Sequence, residues 1–256
     1  MPAKTKHPAA DRFFDACDEI LARIRRTQSA KIAEAAEAMA RCAAQGGALH
    51  LYDRGHAASE ALGRAAGLAA LHPLMFSFGV TTGAPPCHHK RMAARGRVPK
   101  PWVVRGLAAE ALKRANVFPG DGILINAMFG NFPDHVELAL ESKRLGVTTI
   151  AILSVEFSKA VPPLGGMKRK LMDVADIVID NCSPVGDGVL EFPGIPVTAC
   201  PASNIASYYI IWALNAEFIQ RMLDRGITPT VLKSINLPDG EDYNRQAMAE
   251  YSRKGI

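Results

Sequence analysis

Apolar positions recur at intervals of three and four from Ala10 to Gln45, through Phe13, Phe14, Cys17, Ile20, Leu21 and Ile24, then Ile32, Ala35, Met39 and Cys42. That period predicts one long amphipathic helix, and Gly46-Gly47 supplies the stop that a helix C-terminus favours. Its stripe needs a partner, either the body of the domain or a second subunit. Beyond Gly47 the pattern changes to short, continuously apolar runs separated by amphipathic stretches. The runs predict strands at Ala48–Tyr52, Leu74–Phe78, Gly122–Asn126, Thr148–Leu153, Ile177–Ile179 and Ile195–Ala199. Helices are predicted between them at Ala57–Ala70, Val104–Asn116, Pro133–Leu145, Met167–Val174 and Ala202–Arg225. Strands that are apolar at every position are buried on both faces, so the alternation implies βαβ units and a covered parallel sheet. No repeat or Ser/Gly linker divides the chain, which reads as one domain with an N-terminal helical extension and a loop-rich tail. In such a sheet ligands bind beyond the carboxyl ends of the strands. That rule selects the loops Asp53–Ala58, Gly79–Pro101, Ala127–Asp134, Ser154–Gly166, Asn181–Glu191 and Pro201–Asn204.

Composition narrows the class. Of 256 residues 48% are hydrophobic and 21% charged, a balance that excludes a disordered chain. The longest mostly apolar stretch, Gly67–Val80, is interrupted by His72 and Pro73 and falls short of the roughly 20 residues that span a bilayer. Met1–Phe14 holds Asp11 soon after Lys4 and Lys6 and no long apolar run, so no secretory signal is expected. Five scattered cysteines without a CxxC pair read as free thiols of a cytoplasmic protein. The formal charge of +5 is uneven: between His88 and Arg114 eight basic residues stand against the single acid Glu110. A basic excess of this kind either recruits an anionic ligand or forms a solvated loop. Nucleic acid is not expected as a partner, because the segment interleaves no aromatic beyond Trp102 and no binding motif accompanies it.

Particular residues add a resemblance. Gly55-His56 follows a strand and precedes Glu60 and Arg64-Ala65-Ala66-Gly67-Leu68. Phe118-Pro119-Gly120-Asp121 leads into a strand, Gly130 makes a turn, and Pro133 opens a helix that ends Lys143-Arg144-Leu145-Gly146. Ser158-Lys159, Val161-Pro162, Lys170-Leu171, Ala175-Asp176, Asp180-Asn181-Cys182, Pro184 and Gly186-Asp187 come next. Pro201, Ser203, Ser234, Asn236, Gly240, Asp242 and Asn244 complete the series. In this order, from about Ala48 to the end, these pieces resemble the sugar isomerase (SIS) domain, and in particular its stand-alone bacterial members. The resemblance implies a three-layer αβα sandwich around a five-stranded parallel sheet, flavodoxin-like in type, here with the N-terminal helix added. It divides the chain into an N-terminal helix over 1–46, the SIS domain over 47–226, and a tail over 227–256. It also implies a homodimer that holds a phosphosugar, with isomerisation, ether cleavage or sugar sensing as the known roles.

The departures matter as much. The phosphate loop of that family typically reads Ser-x-Ser-Gly and grips phosphate at a helix N-terminus, whereas the matching stretch here is Ala127-Met128-Phe129-Gly130-Asn131. Both hydroxyls are gone, and Phe129 fills space where phosphate oxygens would lie. Ala57 stands where relatives often carry Ser, and Arg105 where they carry a glutamate. Phosphate would then have to rely on helix-end amides, Ser203, Asn204 and the basic loop.

Glu60 is the candidate proton carrier, since an aldose–ketose isomerisation moves a proton between adjacent carbons through an enediol; the alternative is a helix-start salt bridge. His56 and His88 are the candidate imidazoles, with loop-fixing roles as the alternative. Gly55, Ala57, Phe129, Gly130, Asn131, Asp187, Ser203 and Asn204 are the candidate substrate contacts. Asn181 and Asp187 follow a strand end, but they also form turns readily. Cys87-His88-His89 carries zinc-ligand chemistry, yet adjacent histidines project apart and no second cluster follows, so neither metal nor cofactor is expected. The Ile205–Leu223 segment reads as core or dimer interface. The reading is a sugar or sugar-phosphate protein acting as an isomerase, or a lyase of the same kind, by proton transfer. The alternative is a carbohydrate-derivative-binding or regulatory protein without chemistry.

Overall fold

The computed structural model describes residues 8–53, 58–79, 83, 85–88, 90, 94 and 103–256. Five parallel strands form the central sheet: β1 (Leu49–Asp53), β2 (Leu71–Pro73), β3 (Gly122–Asn126), β4 (Thr148–Leu153) and β5 (Ile177–Asp180), in the order β2-β1-β3-β4-β5. Every residue of β1 and β3 is buried, the polar His50, Asp53 and Asn126 included, as befits strands covered on both faces. Successive side chains alternate between two cores. Leu49, Leu51, Leu124, Ile150 and Ile152 face α1 (Ala9–Ala44) and α6 (Ser203–Asp224), where Ile24, Ile210, Leu214 and Phe218 are fully buried. Tyr52, Ile123, Ile125, Ala151 and Leu153 face α3 (Leu107–Leu112) and α4 (Pro133–Leu145). Each buried aliphatic contributes roughly 1.5–3 kcal/mol of transfer free energy. The partner that the α1 stripe needs is therefore the body of the domain, α6 above all.

Several elements differ from their sequence expectation. Only Ala58–Ala61 (α2) of the expected Ala57–Ala70 helix is helical among the described residues. Gly63 and Ala66 lie at positive φ there, which ends a right-handed helix. The second strand is Leu71–Pro73 rather than Leu74–Phe78, an edge strand whose proline needs no ladder donor. The Ile195–Ala199 run joins no sheet of parallel strands. It leads into β7 (Ala199–Pro201), which pairs antiparallel with the unexpected β6 (Gly188–Leu190). A short helix, α5 (Val155–Ala160), begins where Ser154 Oγ accepts from the Phe157 N–H at 3.1 Å. The expected Met167–Val174 helix is a 3-10 turn at Leu171–Asp173. Half of the tail is a helix, α7 (Gly240–Lys254), with Glu241 and Asp242 in its first turn and Arg253 and Lys254 in its last, as the helix dipole favours.

Strand order reverses between β1 and β3, since β2 lies on one side of β1 and the chain then crosses to the other. This is the switch point at which an open parallel sheet leaves a crevice. The last residues of the two strands, Asp53 and Asn126, are in register opposite each other.

Candidate functional site

Asp53 and Asn126 are buried side by side at the floor of that crevice, and the Asn126 amide donates to Asp53 Oδ1 at 2.9 Å. The other oxygen, Oδ2, accepts from the Ala58 N–H at 3.0 Å, so the same carboxylate starts α2. Above the pair lies a cavity of about 470 Å³. Its walls are Ala127, Met128, Phe129 and Phe132 from the loop after β3, His135 from α4, and Ser203, Asn204 and Ser207 from α6. Among the described lining residues Asp53 brings a negative charge, and none is lysine or arginine.

One wall is aromatic. The Phe129 ring lies 4.6 Å from Phe157 and 5.6 Å from Phe132, and Phe132 lies 6.0 Å from the His135 ring. His135 meets Tyr52 edge-on at 5.6 Å, and Tyr52 stacks on Phe76 at 4.7 Å. The Tyr52 hydroxyl donates to Asp134 Oδ2 at 2.7 Å, which fixes strand β1 to the start of α4. Centroid spacings in this range are those of attractive ring pairs.

The opposite wall is polar, and much of it is already engaged. Asp187, a non-glycine residue at φ 70°, accepts from Ser203 N at 2.8 Å and Ala202 N at 3.2 Å through Oδ1, and from Ser203 Oγ at 2.9 Å through Oδ2. It thus occupies the N-terminus of α6, the position an external anion would take. Asn181 is fully buried and serves structure, its carbonyl oxygen accepting from Ser183 N at 3.0 Å and its amide facing Ser207 Oγ at 3.5 Å.

The structure brings together Phe129, Ser203 and Asn204 on the cavity, with Asp187 directly behind Ser203. Gly130 makes the turn at φ 62°, where a Cβ would approach that of Leu171 to 2.7 Å. The Asn131 amide donates to Pro162 O at 2.9 Å and is not on the cavity wall. Glu60 forms an ion pair with Arg64 and also lies outside the wall. Burial first, then the charges of Glu60 and Asp53, raise the Tyr208 hydroxyl above its ordinary range. His88 sits half-buried in a 3-10 turn, Pro86–His88, away from the cavity lining. Gly55, His56, Ala57 and His89 lie outside the described residues, as does most of Lys90–Lys100. Further along, Arg105 Nε pairs with Glu137 Oε1 at 3.2 Å, and Lys113 and Arg114 pair with Glu110, whose carboxyl they hold down at about 2. The cavity residues that sequence reasoning did not single out are Asp53, Asn126, Met128, Phe132, His135 and Ser207. The strand-end rule pointed to the loop beginning at Asp53, but nothing in the pattern distinguished His135 or Ser207 from other helix residues.

A doubly wound parallel sheet with a polar crevice at its switch point is the architecture of α/β small-molecule proteins. The SIS domain model matches residues 12–154, a stretch that begins inside α1. The chain therefore belongs to the SIS domain family. Curated relatives include a UPF0309 protein of Streptomyces griseus, 31% identical with 94% of each chain covered. Another, from Geobacillus thermodenitrificans, is 28% identical with 95% of each chain covered. Among solved structures the fold is similar to phosphoheptose isomerases from Neisseria gonorrhoeae (TM-score 0.52, 14% identity, 83% of this chain and 96% of that one) and Francisella tularensis (TM-score 0.50, 15% identity, 82% and 96%). The five cysteines are unpaired, and among the described residues no helix is long and apolar enough to cross a membrane.

Proposed function

We propose that the chain binds a sugar or sugar derivative in the crevice cavity and isomerises it between aldose and ketose forms by proton transfer. The observation that carries this reading is the Asp53–Asn126 pair at the switch point, lining a cavity of about 470 Å³ that Phe129, Phe132 and His135 also line. A carboxylate and an amide together accept from and donate to vicinal hydroxyls, and C–H faces of a sugar ring pack on aromatic carbon. Membership of the SIS domain family, and the fold shared with two proteins named phosphoheptose isomerases, support the same class.

Glu60 remains the proposed proton carrier. Its carboxylate would take the proton from the carbon beside the carbonyl and return it to the former carbonyl carbon, while the hydroxyl proton passes from the oxygen on the first carbon to the former carbonyl oxygen. His135 is the imidazole that the cavity itself presents, and it replaces His88 as the proposed partner. The reading includes a homodimer formed through the exposed Ile205 and Tyr209 of α6; light scattering that finds a monomer across the micromolar range would remove that part.

The test is incubation with candidate sugars in deuterated water. Label appearing at the carbon next to the carbonyl supports the isomerase, and Glu60→Gln should lower that rate by roughly 10²-fold while binding persists. One observation favours a second reading: Glu60 is ion-paired to Arg64 and stands off the cavity wall, as in a carbohydrate-binding protein without chemistry. A sugar that binds and never takes up label would establish that reading instead.

A further inference from the structure

A serine hydroxyl has one O–H to donate and two lone pairs that accept, so a partner that engages the O–H settles what the oxygen offers elsewhere. Two serines of α6, Ser203 and Ser207, line the cavity one turn apart, and both are buried. The Ser203 hydroxyl donates to Asp187 Oδ2 at 2.9 Å. Asp187 Oδ1 accepts from Ala202 N at 3.2 Å and Ser203 N at 2.8 Å, so this carboxylate is held in place by backbone and side chain together. Ser203 Oγ is therefore left with lone pairs, not a hydrogen, for the cavity. Ser207 is set the opposite way. The Asn181 carbonyl oxygen accepts from Ser183 N at 3.0 Å, which fixes the amide and puts its NH2 group toward Ser207 Oγ at 3.5 Å. An NH2 group only donates, so the Ser207 hydroxyl has no acceptor there. A serine within a helix can instead donate to the carbonyl four residues back, as Ser252 Oγ does to Met248 O at 2.8 Å. Among the described residues Ser207 makes no such bond, and its O–H is left for the cavity.

We propose that Ser203 and Ser207 select two neighbouring hydroxyls of the ligand by hydrogen-bond polarity, Ser203 Oγ accepting from one and the Ser207 hydroxyl donating to the other. This rests on the reading that the cavity is a sugar site. Residues four apart on a helix stand about 5–6 Å from each other at Cβ, a span that two hydroxyls of one sugar can bridge. Asp187 and Asn181 are positioning residues, which act through the serines by fixing what each one offers. The N-terminus of α6 then serves a sugar hydroxyl, and a phosphate on the same ligand is held by other parts of the crevice.

The test is calorimetric titration of the full chain with glucose 6-phosphate, fructose 6-phosphate and glucosamine 6-phosphate. Whichever binds is then compared with analogues in which one hydroxyl at a time is removed or replaced by fluorine, which accepts weakly and cannot donate. At one position fluorine should be as harmful as removal, each weakening binding about fivefold or more, the yield of one neutral hydrogen bond. Ser203→Ala should abolish both penalties at that position. Asp187→Asn keeps an oxygen for the two N–H groups but sets an NH2 against Ser203 Oγ, which turns the serine O–H toward the cavity. In that variant the fluorine penalty should shrink while the removal penalty persists, an inversion that lost packing would not produce. At a second position removal should weaken binding more than fluorine does, and Ser207→Ala should abolish that difference. Should Ser203→Ala not fold, Asp187→Asn still decides, because it retains the hydroxyl. Penalties that the Ser203, Asp187 and Ser207 variants leave unmoved overturn the proposal and leave the sugar-site reading intact. Binding of none of the three sugars by the unaltered chain removes that reading and the proposal with it.

Discussion

Two buried aspartates mark the opposite ends of adjacent strands, and their surroundings differ in kind. Asp121, just before β3, accepts from Ala48 N and Phe118 N at 2.8 Å each and lies 3.4 Å from His50 Nε2. Its partners close a turn onto the start of β1, so the amino end of the sheet is stitched shut. Asp53, at the end of β1, accepts from Asn126 and Ala58, yet it lines the cavity. Similar burial therefore does not imply a similar role. What separates the two is that Asp53 belongs to the lining of the cavity and Asp121 does not.

The largest effect expected from breaking this contrast is at the closed end. Asp121→Ala leaves two backbone donors without their charged acceptor, and should cost about 3 kcal/mol of stability in urea unfolding; sugar affinity of the protein that remains folded should not change. At the open end Asp53→Asn should reverse the pattern. Stability should fall by less than about 1 kcal/mol, since the amide oxygen can still accept from a neighbour, while sugar affinity should drop by about 2 kcal/mol, one hydrogen bond to a charged group. Equal losses of stability in the two variants would erase the distinction.

The smallest effect concerns protons at the closed end. His72 contacts the Tyr251 hydroxyl of α7, and its ring lies 6.2 Å from that of His50. Burial first, and then His50, lower its pKa from the ordinary 6.5. The unfolded chain then binds the proton more readily than the folded one. This part of the stability is complete above about pH 6.5 and is lost as the pH falls through the lowered folded value. Unfolding midpoints should decline on acidification through that window, and His72→Gln should flatten the decline. No change in the slope would show that the histidine is indifferent to folding.

The closed end and the sheet core were the more legible parts of the sequence. β3, β4 and α4 have the bounds their patterns indicate, because each is apolar in one unbroken period and punctuated by Asp121, Pro133 or Gly146. Edges were harder. Leu71-His72-Pro73 is short and broken by a histidine and a proline, as an edge strand that pairs on one side allows, and Ile195 and Val197 look like strand yet stand exposed beside Pro193 and Pro196. The helix α7 was obscured because its mean hydropathy is low and its anchor, the Tyr251–His72 contact, spans distant parts of the chain. The cavity combines both situations. Phe129, Ser203 and Asn204 lie in loops that the strand-end rule selects, whereas His135 and Ser207 reach the cavity from inside helices, where spacing carries no mark of which face meets a ligand.

The packing of α1 on α6 has a consequence for synthesis. The first helix of the chain finds its main cover only when the last long helix has left the ribosome, after every strand of the parallel sheet has been made. Until then the stripe of Ile24, Ile32, Ala35 and Met39 has no α6 to rest on. Contacts so distant in sequence slow folding and prolong the exposure of apolar surface. Nascent chains that stop before Ser203 should therefore be cleaved readily within α1 and captured by chaperones, and that vulnerability should end abruptly once α6 emerges.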